Sequence, residues 1–421
     1  MVSSMCFRNG QKAHHSSTRT PCPCKPLLTG FTTGETIMSR NLDREARLKQ
    51  IIGRNLKDFR ELAGFSQEDF AEKIGLSRAT LSAIENGHSS IDSAMLVVAA
   101  RLLGRQVSEF FEETPEKLKL LYRAATDVSA PPEVRSRFER FCKAYRELEE
   151  IVGVADNLLP PPEYSFSPDV QSKPLQFAAQ VAASERDRLG LGRLDPIENL
   201  FQLMDEKGLR VFRVDLDNLD VYGLSAFSRR YGACILLNSS NTLERQIFSL
   251  AHEYAHPLMH RAFYKSPEPM STLEGDHELE LMADTFAANF LVPETGLREA
   301  FQRDVGDKLL ALEDIIFLKH YFRVSAEVMI RRLRELDLIS KLEADSLQQE
   351  LDRRREPNKE IAPLSDDLIK EWQQTSRFEH LAKKAALTEA VSLGKLAQLL
   401  GISVVEAKKK TQAWRREMAL A

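Results

Sequence analysis

The run His252-Glu253-Tyr254-Ala255-His256 sets two imidazoles four residues apart with a carboxylate next to the first. On a helix, at about 100° per residue, both rings fall on one face a turn apart, where they can reach one cation. Glu253 stands beside them and can take a proton from water held at that cation. This is hydrolytic chemistry, and it calls for a third ligand. His260 follows His252 with no glycine to turn the chain. On a straight helix it drifts about 80° and sits two turns away, too far to share the ion, so it reads as a partly exposed helix-end residue. His277 lies in an acidic turn and is a weaker choice still. Glu280 is preferred, because Glu280 and Asp284 share a face of a strongly apolar stretch that includes Phe286, Ala287, Phe290 and Leu291. One acid can bind metal while the other accepts the second ring N–H of a ligand histidine. Glu278 is near enough to be the alternative. Two imidazoles and a carboxylate suit Zn2+ better than manganese or iron.

A bare match to this spacing also arises by chance on surface helices. The flanking Ile247, Phe248, Leu250 and Ala251 argue against that here, since they demand burial. Histidines and a glutamate in a buried helix are costly without partners. The helix opens at Asn241-Thr242, good capping residues, with Glu244 in its first turn. Pro257 follows the second histidine, removes an N–H and predicts that the helix kinks or ends there. Tyr264, a lone tyrosine in a loop, is a candidate to donate to an oxyanion, but surface packing is the readier reading. Upstream, Leu209–Val214, Asp220–Phe227 and Cys234–Leu237 read as three strands of a small antiparallel sheet, with turns near Asp217-Asn218 and Tyr231-Gly232. Helices are predicted over Pro174–Leu189, closed by Gly190, and Pro196–Lys207, closed by Gly208. Another runs over His277–Leu291 and stops at Pro293.

HEYAH, then ExxAD, then Phe-Ala-Ala-Asn-Phe-Leu-Val-Pro resembles the ImmA/IrrE-type zinc metallopeptidases over about Phe177–Pro293. The resemblance implies a zincin-like domain with His252, His256 and Glu280 on zinc, Glu253 as general base and Asp284 behind a ligand. It also implies a protein substrate, typically a DNA-binding repressor cut at one site.

A second constellation lies near the start. Ser66 caps Gln67–Ile74, Gly75 permits a tight joint, Ser77 caps Arg78–Glu85, and Asn86-Gly87 stops the second helix. Ala71, Ile74, Leu81 and Ile84 form the inward face, which leaves Arg78, Thr80 and Ser82 polar and outward. Ser-Gln-Glu-Asp-Phe-Ala, Gly-Leu-Ser and Ile-Glu-Asn-Gly, in that order, resemble the lambda-repressor-like (XRE) helix-turn-helix family across about residues 48–112. The resemblance implies a five-helix domain in which Gln67, Ser77, Arg78, Ala79, Thr80 and Ser82 face double-stranded DNA. Lys49, Arg54, Lys57 and Arg60 are candidate phosphate contacts, and a homodimer follows from the family alone. The other reading is a helical domain used only for dimerisation.

The 421 residues suit two or three domains. A net charge of −4 gives no global pull toward nucleic acid, so DNA binding needs a local surface. No apolar run reaches about 18 residues, so no membrane span is expected. Residues 1–37 lack the features of a signal peptide. The five cysteines are scattered and form no disulfide framework, and a cytoplasmic protein is the expectation. Cys22-Pro-Cys24 with His14-His15 fits no standard zinc spacing.

The fold expected is mainly α, of the α+β kind. Residues 1–40 form a disordered tail, 41–112 the helix-turn-helix domain, 113–172 a helical linker, 173–296 the peptidase domain and 297–421 a helical C-terminal region. Within that region Arg331, Arg332 and Arg334 read as a solvated face. Leu393–Ser403, followed by Lys408, Lys409, Lys410, Arg415 and Arg416, reads as a packing subdomain in preference to a second DNA-binding element. The function expected is a transcriptional regulator with a fused zinc endopeptidase that cuts a repressor, a regulatory protein or itself. The alternative is a transcription factor or antitoxin whose zinc domain senses a signal or partner without proteolysis.

Overall fold

The computed structural model describes residues 34–111, 120–124, 132–155, 160–164, 173–216, 221–228, 230–261, 276–306, 310–357 and 359–420. Cys22, Cys24, His14, His15, Asp217-Asn218 and Tyr264 lie outside the described residues.

The first unit is α1 (Gly34–Leu62), α2 (Gln67–Lys73), α3 (Arg78–Glu85), α4 (Ser93–Leu102) and a 3-10 turn at Val107–Phe111 in fifth place. Helix α1 reaches back into the stretch expected to be a disordered tail, so residues 34–40 are helical. Ser66 and Ser77 accept from the amides of Asp69 and Thr80, as capping residues do. Gly75 and Gly87 take the left-handed backbone that ends each short helix. Leu56, Phe70, Leu81, Ile84, Ala99 and Phe110 meet in one core.

A four-stranded sheet follows, in the order β1-β3-β4-β2, with β1 at Leu120–Ala124, β2 at Arg210–Val214, β3 at Val221–Ser228 and β4 at Gly232–Asn238. It is mixed, not antiparallel as expected: β3 pairs antiparallel with β1 and β4, but β2 pairs parallel with β4. The reason lies in β4. Its Cys234-Ile235-Leu236-Leu237 is apolar on both faces and takes the central slot between β2 and β3. The chain leaves β2, passes over that slot, and returns into it after β3.

The sheet's two faces feed two cores. Phe212, Leu224, Cys234 and Leu236 pack on α5 (Pro132–Val152) and the C-terminal helices α15 (Arg377–Leu387), α16 (Leu393–Leu400) and α17 (Val404–Leu420). Val211, Ile235 and Leu237 pack on the other side, against α6 (Pro174–Leu189), α7 (Leu200–Glu206), α8 (Leu243–Met259) and α9 (Asp276–Leu291). Helices α10 (Glu294–Asp304), α11 (Leu312–Phe322), α12 (Ala326–Glu335), α13 (Lys341–Arg354) and α14 (Asp367–Thr375) extend this second layer. The segment 113–172 is therefore no simple helical linker, because it contributes an edge strand and a core helix. Helix α16 buries Leu396, Ala397 and Leu399 beside Phe138 and Cys142, as a packing element does. Among the described residues, no helix is long and apolar enough to cross a membrane.

Every residue of α8 except Arg245 is buried. Its polar groups are met from outside. Lys319 of α11, fully buried, donates to Glu244 at 3.0 Å and to the carbonyls of Ile361 and Ala362. Leu364 N–H donates to the same carboxylate at 2.7 Å. Arg332 is buried, contrary to its reading as part of a solvated face. It donates to Val292 O at 3.1 Å and Asn289 Oδ1 at 2.6 Å, at the end of α9. Arg186 does the same from α6, giving hydrogen bonds to the carbonyls of Phe290, Gly192 and Asp195, and burial lowers its pKa to about 10. Replacing Lys319 with Met leaves Glu244 buried without its cation. The expected cost is about 3–5 kcal/mol of stability, read as a lower urea midpoint.

Candidate metal centre and nucleic-acid interface

Helix α8 carries both histidines inward toward α9. His252 Nδ1 lies 2.8 Å from Asp284 Oδ1, and its Nε2 lies 3.0 Å from Glu280 Oε2. His256 Nε2 lies 3.5 Å from Glu280 Oε1. One ligand atom from each of His252, His256 and Glu280 falls within 4.8 Å of the others. Glu278 and His277 are exposed, so of the acids considered, Glu280 is the one brought to both rings.

The donor set fits a cation. A neutral His252 that donates its Nδ1–H to Asp284 turns the lone pair of Nε2 toward a carboxylate oxygen. Two acceptors facing one another at 3.0 Å repel unless a positive charge is shared between them. Two imidazole nitrogens and a carboxylate oxygen form a donor set that zinc accepts.

His260 is not the exposed residue its spacing suggested. It is fully buried, and its Nδ1 sits 2.9 Å from His256 Nδ1. Burial, with the His252 ring adding to it, pushes its pKa down to about 3, so the ring is neutral. When Nε2 of His256 keeps a lone pair for the cation, Nδ1 of His256 must be the donor and His260 the acceptor. Asp284 and His260 thus contact one ring each, His252 and His256 respectively.

Glu253 lies against β3. A Cβ built on Gly223 would stand 3.0 Å from Glu253 Cγ and 3.1 Å from Oε1. Gly223 and Ser225 are the small residues on this face of β3, opposite Leu237 and Ile235 of β4. A glycine inside an apolar strand is the usual sign of a close approach, and it was legible as such.

Pro257 does not end the helix, which runs on to Met259 with His260 as its cap. The end is held from outside: Arg261 donates to the carbonyls of Pro257, Pro161 and Pro162 and stacks over Phe227 at 4.1 Å. Tyr164 N–H donates to Leu258 O at 2.8 Å. Tyr254 points the other way, giving its hydroxyl to Glu185 at 2.6 Å. Burial first, and then that carboxylate, hold its phenol well above the ordinary tyrosine range.

At the N-terminal unit, Ser77, Arg78, Ala79 and Thr80 are exposed at the start of α3, and Ser82 is half-buried. Gln67 turns inward and donates to Glu85 at 2.7 Å. Arg60 is not a phosphate contact: it is buried and forks onto Glu85 at 2.6 and 3.1 Å. Arg54 and Lys57 remain exposed. Gly53 brings α1 against the end of α3, where a Cβ would stand 2.0 Å from Ile84 O.

Residues 56–110 match the family model of a helix-turn-helix, and residues 204–334 that of the IrrE N-terminal-like domain. The HTH-type transcriptional regulator YazB of Bacillus subtilis is 37% identical over 68 residues, 16% of this chain and 96% of that protein. A hypothetical transcription factor of Neisseria meningitidis is 30% identical over 92 residues, 22% of this chain and 87% of the relative. The propionyl-CoA carboxylase regulator of Cereibacter sphaeroides is 23% identical over 232 residues, 49% of each chain. The chain thus spans about half the length of that regulator.

Replacing Asp284 with Ala is expected to weaken zinc binding about 10- to 100-fold, by freeing the His252 ring, while Glu278→Ala leaves it unchanged. Competition with a chromophoric chelator measures both.

Proposed function

The chain belongs to the lambda-repressor-like (XRE) helix-turn-helix regulators that carry an ImmA/IrrE-type domain, and from this premise we propose that its second domain is a zinc-dependent endopeptidase acting on a repressor, another regulatory protein or the chain itself. One observation carries the reading: the donor atoms of His252, His256 and Glu280 converge within 4.8 Å, and the same helix turn holds Glu253 against β3. A regulator that only sensed zinc would need the ligands but not the base.

His252, His256 and Glu280 would hold the ion. Zinc, when bound, supplies a Lewis acid that eases ionisation of water and polarises a peptide carbonyl. Glu253 takes the proton from the attacking water and returns it to the departing amide nitrogen. Its carboxylate has little freedom, because the strand at Gly223 leaves no room behind it. Asp284 and His260 keep the two rings in one tautomer, each with Nε2 turned to the ligand position.

The helix-turn-helix supplies the other half of the function. Arg78 and Thr80, at the exposed N-terminal end of α3, are the base readers in this proposal, with Ser77 and Ala79 beside them. Ser77 is committed to capping, and Gln67 to Glu85. Arg54 and Lys57 supply phosphate contacts. Arg78→Ala is expected to lower affinity about 10- to 100-fold for duplexes selected from a random pool, measured by fluorescence anisotropy.

The peptidase reading is tested by comparing new protein N-termini, by mass spectrometry, in matched cells expressing wild type or Glu253→Gln, with and without stress. The substitution removes the base and keeps the ligands. Termini present only with wild type identify the substrate. Identical termini throughout, with DNA binding retained, would make the domain a zinc-bearing sensor instead.

A further inference from the structure

Strand β1 does not come from the sequence around the rest of the sheet. It lies in the segment between the 3-10 turn that ends at Phe111 and the start of α5 at Pro132. Among the described residues it occupies the outer edge of the sheet and pairs with β3 alone, antiparallel, from Leu120 opposite Ala226 to Arg123 opposite Gly223. The register shifts immediately afterwards, between Arg123 and Ala124. The backbone that β1 faces at Arg123 is therefore the backbone at Gly223, against which the Glu253 carboxylate is packed.

This position has a chemical meaning. A peptide to be cut must bring one carbonyl to the ion and to Glu253, and an extended backbone does so most simply by hydrogen bonding to the strand beside them. The inner edge of β3 is taken by β4. Its outer edge, one strand spacing of about 4.8 Å away, is what remains, and β1 fills it. Both ends of the segment are anchored. Phe110 is in the core of the first unit, and Phe138 and Cys142 of α5 are in the core of the sheet. Covalent continuity with both cores keeps the effective concentration of β1 at β3 high without requiring a strong contact.

We propose that residues 120–124 occupy, in cis, the place on β3 where an extended peptide substrate lies, so that this strand keeps the site closed until it leaves the sheet edge. The inference rests on the peptidase reading for its meaning, but its test reads occupancy of the edge and not cleavage.

The full chain carrying Glu253→Gln, loaded with zinc, is compared with the same chain carrying also Leu121→Pro and Tyr122→Pro. Consecutive residues of a strand point their amides to opposite sides, so two adjacent prolines remove a donor to β3 whichever residue supplies it. The probe is a fluorescein-labelled peptide of residues 117–127. The expected result is at least tenfold tighter binding to the proline variant. Hydrogen exchange at residues 221–228 should be faster in that variant and slowed again by the peptide. Equal binding to both chains, or unchanged exchange at 221–228 in a variant that keeps its zinc affinity, overturns the proposal. A measurement on the unsubstituted strand covers the case in which the prolines prevent folding. In the Glu253→Gln chain, amides of 120–124 should exchange by local opening, well before those of β4. Exchange of β1 only together with β4 would make it a fixed part of the sheet and overturn the proposal. Success here alongside identical N-termini in cells would mark a peptide-binding edge without hydrolysis, so the two readings fail separately.

Discussion

A helix buried on nearly every side, yet carrying two histidines, two glutamates and a tyrosine, can fold only if its neighbours provide partners. Helix α8 sets that requirement, and much of the surrounding architecture answers it. Asp284 and Glu280 of α9 face the rings, Glu185 of α6 takes the tyrosine hydroxyl, and Lys319 of α11 meets Glu244. Each is an outlay in desolvation that makes sense only where the geometry is complete. The helix end is treated likewise: Arg261 ties the turn containing Pro257 to the Pro161-Pro162 segment. A proline that costs α8 one internal hydrogen bond is thereby tolerated, since the last turn is fastened from outside.

What could be read from the residues alone follows how local the signal is. The boundaries of α6, the caps of α2 and α3 and the pairing of His252 with His256 depend on neighbours in sequence, and the structure places them where the pattern did. Glu280 and Asp284 were visible as two acids on an apolar helix. The parallel pairing of β2 with β4 was not, because strand order depends on which strand is buried on both faces, and adjacent hairpin-like segments suggest the simpler meander. The inward turn of Arg60 and Arg332 is not legible in the sequence for a related reason. A long cationic side chain looks the same in sequence whether it meets water or a buried carboxylate or carbonyl. His260 shows the limit of helical-wheel reasoning: the spacing excluded it as a ligand and said nothing of a ring-to-ring contact with His256.

The two modules are not simply strung together. Glu139 of α5 pairs with buried Arg105, Lys143 of α5 reaches Glu109, and Ser136 donates to Leu103 O, all on the DNA-binding side. A few residues on, Tyr145 donates to Asp205 and packs at Phe212, and Glu149 pairs with Arg210 and Arg377. Burial pushes the Glu139 carboxyl up in spite of Arg105, a sign that this joint is tightly packed and dry.

Such a helix is a stiff strut. At about 1.5 Å per residue its span is on the order of 30 Å, and it has no proline after its first position. A strut seated in both bodies resists bending between them, so a duplex gripped by α3 would hold the sheet at a fixed bearing relative to the groove. Any protein delivered to the sheet edge would then arrive at a defined distance and angle from the bound DNA, which turns the operator into a ruler for choosing what the second domain can reach.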